Sequence, residues 1–116
     1  MSGLFDVNDS DELWVVKNFF SEHDGVLFPS CIAHILSGIG YGNEYAMCTF
    51  PDSIEPDEEP FNGIRFTMYG GHTKVIDEDA FKKITIEACR RYILKNSSRR
   101  NQITEILSRH GLNIES

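Results

Sequence analysis

Residues 61–69, FNGIRFTMY, alternate in polarity: Ile64, Phe66 and Met68 fall on one side, Arg65, Thr67 and Tyr69 on the other. A period of two puts successive side chains on opposite faces of a strand. Gly70-Gly71 and the run His72-Thr73-Lys74-Val75-Ile76 follow directly, which completes a hairpin signal. The chain is therefore committed to a small antiparallel sheet with one apolar face, and helices must supply the cover for that face.

The rest of the chain reads as those helices. Ser10 is a good cap, and Asp11 and Glu12 stand at the positive end of the helix dipole. Leu13, Val16 and Phe20 recur at helical spacing, widened by Trp14, Val15 and Phe19, so a helix is expected over 11–22. A second starts near Pro29-Ser30, with Cys31, Ile32, Ile35, Leu36 and Ile39 as its buried side; Gly38, Gly40 and Gly42 stop it. Residues 43–50, NEYAMCTF, read as a strand ended by Pro51. Asp77 caps a long third helix over 78–95, with Phe81, Ile84, Ala88 and Tyr92 on one stripe and Ile86, Cys89 and Ile93 beside it. Lys82, Lys83, Arg90, Arg91 and Lys95 of that helix should face solvent. Ser97 or Ser98 caps a fourth helix carrying Ile103, Ile106 and Leu107, and Gly111 stands where a C-terminal cap belongs. The order ααβββαα predicts an α+β fold: a small antiparallel sheet of about three strands with about four helices packed on one face. At 116 residues, with no repeat and no long interior linker, residues 1–116 form one domain.

Composition excludes several classes. With 41% hydrophobic and 25% charged residues the chain can bury a core, which argues against overall disorder. No basic patch precedes an apolar run at the N-terminus, and no apolar stretch approaches the roughly 20 residues of a membrane helix, so a soluble cytosolic protein is expected. Cys31, Cys48 and Cys89 are odd in number, far apart and without zinc-ligand spacing, so reduced, buried thiols are expected and zinc is not. Without export, the sequon Asn96-Ser97-Ser98 carries no meaning.

Catalytic and cofactor signatures are missing. There is no P-loop lysine motif, no G-x-S-x-G and no H-E-x-x-H. Gly38-Ile39-Gly40-Tyr41-Gly42 follows a helix and precedes a strand, the reverse of a phosphate-binding turn. Asp6, Asn8 and Ser10 have calcium-loop spacing, but Asp11 replaces the required Gly and Lys17 the bidentate Glu. Cys31 and His34 are three apart on a helix, which helix packing explains better than a nucleophile and base without an orienting group. No cofactor, no metal and no enzymatic activity are expected.

What remains is charge. Residues 1–62 carry twelve acids against Lys17 alone, a charge of −11, whereas residues 63–116 carry ten Lys/Arg against six acids, or +4. The negative half repels phosphate backbones and attracts a basic protein. Its densest part is the loop 51–60, PDSIEPDEEP, with three prolines and the carboxylates Asp52, Glu55, Asp57, Glu58 and Glu59. As a plain connection it keeps the protein soluble. As a recognition surface it is stiffened by proline, offers several acceptors to Lys or Arg, and has Ile54 and Phe61 beside it; Ile54 would be an apolar anchor and Phe61 an anchor or part of the core. These five carboxylates are the candidate partner-binding residues.

The run Gly40-Tyr41-Gly42-Asn43-Glu44-Tyr45-Ala46-Met47-Cys48-Thr49-Phe50-Pro51-Asp52-Ser53, continued by Glu55-Pro56-Asp57-Glu58 and Phe61-Asn62-Gly63, resembles CdiI-type immunity proteins of bacterial contact-dependent growth inhibition systems, more narrowly those paired with ribonuclease toxins. Residues 13–20, LWVVKNFF, and the helical segment 77–107 fit the same pattern. The resemblance implies a cytosolic antitoxin that binds the C-terminal toxin domain delivered by a neighbouring cell and blocks its nuclease. It does not assign the contact residues, and the acidic loop rests on charge alone. Leu27-Phe28-Pro29, a helix and Gly38 also resemble the SMI1/KNR4 superfamily, which contains immunity proteins too. The competing reading is an acidic adaptor or DNA-mimic inhibitor of another basic protein.

Overall fold

A computed structural model describes residues 4–5, 10–53 and 56–114. The first helix, α1, runs Trp14–Glu22. It starts later than the expected 11–22 because Asp11 folds into a turn: its Oδ1 accepts the Leu13 N–H at 2.9 Å and its carbonyl accepts the Trp14 N–H at 3.0 Å. Lys17 pairs with the same carboxylate, so Asp11 holds the turn that Ser10 was expected to cap. Helix α2 covers Phe28–Leu36 and buries Phe28, Pro29, Cys31, Ile32 and Ile35. Its end closes by bonds from the Gly38 N–H to the Ile35 carbonyl and from the Ile39 N–H to the His34 carbonyl. Ile39 thus lies past the cap and is exposed, not buried as expected.

The sheet has four strands, not three: β1 Tyr41–Gly42, β2 Ala46–Thr49, β3 Ile64–Met68 and β4 His72–Ile76, an antiparallel meander in chain order. Residues 43–50, read as one strand, begin with a turn. Asn43 Oδ1 accepts the amides of Tyr45 (2.8 Å) and Ala46 (3.0 Å) and folds the chain back on itself. The β3–β4 hairpin closes through Gly70 and Gly71, whose φ angles of 97° and 87° suit glycine.

Ala46, Cys48, Ile64, Phe66 and Ile76 form the covered face of the sheet. Helix α1 lies across it, with Phe19 5.1 Å and Phe20 6.1 Å from the Phe66 ring. Helix α3 occupies Glu78–Lys95, as the sequence predicts, and Asp77 Oδ1 accepts the Ala80 N–H at 2.8 Å. Its Phe81 meets Phe66 at 6.3 Å, and Tyr92 stacks on Phe28 at 4.2 Å, which joins α2 to the same core. A single 3-10 turn, Ser97–Arg99, leads into α4, Arg100–Arg109, whose Ile103, Ile106 and Leu107 are buried. Gly111 ends α4 with the Leu112 N–H bonded to the Leu107 carbonyl at 2.9 Å. The fold is α+β.

Burial governs the state of the three thiols. Cys31, Cys48 and Cys89 are buried and unpaired; desolvation pushes the Cys31 and Cys89 thiols up to about 12, and Cys48 rises for the same reason. His34 is exposed, and its Nδ1 lies 2.7 Å from the Ser30 carbonyl. Among the described residues no three His, Cys, Asp or Glu side chains converge on a point where an ion could sit, and no helix is long and apolar enough to cross a membrane.

Candidate functional site

The acidic loop leaves β2 through a short 3-10 turn, Pro51–Ser53, and returns to β3 at Ile64. Both ends are held by aromatic rings. Phe50 meets Phe81 edge-on at 6.0 Å, and Phe61 lies under the Arg65 guanidinium at 4.9 Å. Phe61 is half-buried on the sheet side, so it braces the loop instead of entering the core. Gly63 (φ +104°) brings the chain flush against the end of β4: a side-chain carbon there would stand 2.3 Å from the Ile76 carbonyl oxygen.

The carboxylates differ in what they touch. Asp52, Asp57, Glu58 and Glu59 are all exposed, and Glu55 lies outside the described residues. Glu58 accepts from Arg65 Nη2 at 3.0 Å. Arg65 Nε is buried with no hydrogen-bond partner, so the guanidinium is held by Glu58 at one end and the Phe61 ring beneath. That arrangement moors the loop to β3. Among the described residues, Asp52, Asp57 and Glu59 make no ion pair with the chain's own cations. Their negative charge faces solvent.

The sequence reading missed part of this surface. A groove of about 580 Å³ runs beside the loop, floored by Ile35, Phe50, Ile64 and Phe81 and bordered by Pro51 and Gly63. Asp77 and Glu78 also line it. Asp77 and Glu78 fall in the half of the chain with net positive charge, yet the end of β4 sets them on the same groove as Gly63 and hence next to the loop. Dividing charge by position in the chain hid a grouping made in space. Lys82 and His110 lie on the groove as well, and the Lys82 ammonium offsets some of its charge.

The cationic half is arranged differently. Glu87 takes Arg91 Nε at 2.9 Å and Arg90 Nη1 at 3.1 Å, and these bonds, that from Arg91 foremost, hold its carboxyl below the usual range. Arg91 also donates to the Leu4 carbonyl at 3.2 Å and covers the Phe5 ring at 4.6 Å. Arg90 Nε donates to the Ile114 carbonyl at 2.7 Å, and Arg99 reaches the Val26 carbonyl at 3.3 Å.

The loop thus sets exposed carboxylates on a well-packed α+β scaffold. The chain belongs to the CDI immunity protein family, whose profile matches residues 12–107. No curated protein matches the chain.

Proposed function

We propose that this protein is the cytosolic antitoxin of a contact-dependent growth inhibition system, that it binds and neutralises a C-terminal ribonuclease toxin domain, and that it carries no reaction of its own. The observation that carries this reading is the moored acidic loop in a chain of the immunity family. A ribonuclease must grip phosphates with a basic surface. Asp52, Glu55, Asp57, Glu58 and Glu59 would meet that surface, speed the encounter and exclude RNA. Asp77 and Glu78 extend the same negative region. A DNA mimic would string its carboxylates along an elongated face, whereas here they gather beside one groove, which favours the antitoxin over the mimic.

The test is co-purification with the cognate toxin domain and an RNA cleavage assay. Equimolar protein is expected to abolish cleavage, with association that slows as salt rises. Persistent RNA degradation in the presence of excess protein would refute the reading.

A further inference from the structure

The sheet has a second face, and among the described residues no helix covers it. The register stacks its outward side chains in three cross-strand rows: Tyr45 beside Tyr69, then Met47–Thr67–Thr73, then Thr49–Arg65–Val75. Helix α1 contacts β2, β3 and β4 through Phe66 and its neighbours on the opposite side. Tyr69 is 76% exposed, Tyr45 53%, Met47 48% and Val75 41%. The two tyrosine rings lie 6.5 Å apart.

We infer that this open face is the second half of the toxin-binding surface, contiguous with the acidic loop, and that its occupant is the same basic toxin domain; this rests on the immunity reading above. Three observations converge on that occupant. Arg65 is the one cation among the described residues of the outward rows, and Glu58 already pairs with it. Carboxylates stand at both ends of the face: Glu44 in the turn before Tyr45, and Asp52, Asp57 and Glu59 beyond Thr49 and Arg65. The face is thus apolar and threonine-rich between two negative rims, which suits a cationic partner and repels an acidic one. Its composition, tyrosine and methionine without lysine, is that of an interface core.

Size requires the two halves to act together. Strands lie about 4.8 Å apart and same-face rows about 7 Å apart, so the rows span roughly 300 Å². A specific interface takes about 800 Å² from each partner. Neither the face nor a ten-residue loop reaches that alone. Because Phe61, Arg65 and Glu58 fasten the loop to β3, a partner gripped by the carboxylates sits over the rows.

The test uses the full chain and its cognate toxin domain. Hydroxyl-radical footprinting of the unmodified complex is expected to show oxidation of Tyr45, Met47 and Tyr69 falling severalfold, with Leu94, 84% exposed on α3, unchanged. Thr67→Arg is expected to weaken binding by about a hundredfold and Tyr69→Ala by at least about tenfold, while Leu94→Arg binds as the parent does. Failure of the parent protein to bind the toxin domain would overturn the immunity reading, and this inference with it. Tight binding with Tyr45, Met47 and Tyr69 oxidised at their free rates would overturn the inference alone, as would parental affinity in a folded Thr67→Arg. If Thr67→Arg fails to fold, the footprint decides. A dimer of the chain by itself, dissociated by Tyr69→Ala without loss of toxin binding, would assign the face to a second copy and also overturn the inference.

Discussion

The loop between β2 and β3 and the far end of α3 carry opposite charge and use it in opposite ways. At α3, Arg90 and Arg91 bind Glu87 and reach out to the carbonyls of Ile114 and Leu4. Their charge is directed inward and fastens remote segments of chain. Among the described residues of the loop, Glu58 alone pairs with a cation of the chain, Arg65, and that pair holds the loop in place. Asp52, Asp57 and Glu59 are exposed to solvent. Net charge therefore says little about function until it is known which ions the fold has already paired. The −7 of the whole chain understates the negative potential at the loop, because Arg90, Arg91 and Arg109, which enter the same sum, are paired on α3 and α4.

Four changes would break or sharpen this contrast. The largest effect is expected from Gly63→Ala. The new methyl group would meet the Ile76 carbonyl oxygen in a conformation that already disfavours side chains, at a cost of about 2–4 kcal/mol in urea denaturation. It would also free the loop from the end of β4, so stability and toxin affinity should fall together.

Next comes reversal of the loop's charge by Asp57→Lys, Glu58→Lys and Glu59→Lys. Association with the toxin domain is expected to slow by about tenfold to a hundredfold at low salt and to lose most of its salt dependence, with stability changing by less than about 1 kcal/mol. Stopped-flow measurements across ionic strengths read this directly. Unchanged association would remove the loop from the interface. The mirror experiment is Arg90→Ala with Arg91→Ala. It is expected to lower stability by roughly 1–2 kcal/mol through the lost bonds to backbone carbonyls, while association stays as it was.

The smallest effect concerns pH. The Arg91 and Arg90 hydrogen bonds lower the Glu87 carboxyl in the folded protein relative to the unfolded chain. A depressed carboxylate contributes stability above its unfolded value, about 4.3, and that contribution is lost as pH falls through the folded value. The pair is about 40% exposed, so roughly 0.5 kcal/mol is expected between pH 6 and pH 3 after solvent screening. Comparing thermal melts of the parent and Glu87→Gln over that range isolates it.

Much of the fold was legible because local and global signals agree. Helix α3 could be placed to the residue, since Asp77 is a strong cap and eighteen residues give the apolar stripe room to repeat. The hairpin of β3 and β4 followed from alternation and two glycines. Strand β1 was not legible: two residues have no period, and Asn43 turns the chain inside what looked like one continuous strand. The start of α1 was misplaced because Ser10 and Asp11 are both capping residues, and only the geometry shows that Asp11 closes the turn. Within the candidate site, the loop's charge could be counted, but the Glu58–Arg65 mooring could not. It joins two residues on either side of Gly63, whose close approach to Ile76 no count of charges reveals. The nearness of Asp77 and Glu78 to that loop is likewise a fact of β4's path.

The two adjacent arginines of α3 also bring two remote segments, at Leu4 and at Ile114, to one place. Arg91 holds Leu4 and Arg90 holds Ile114, so both extremities of the described chain are tethered to a single helical turn. A short bridge between them would make a ring, and new ends cut at Gly70-Gly71 should yield a permuted protein with the same architecture. In such a molecule the free ends would open beside Tyr69, on the very edge of the uncovered sheet, where any obstruction of a docking partner would be felt at once.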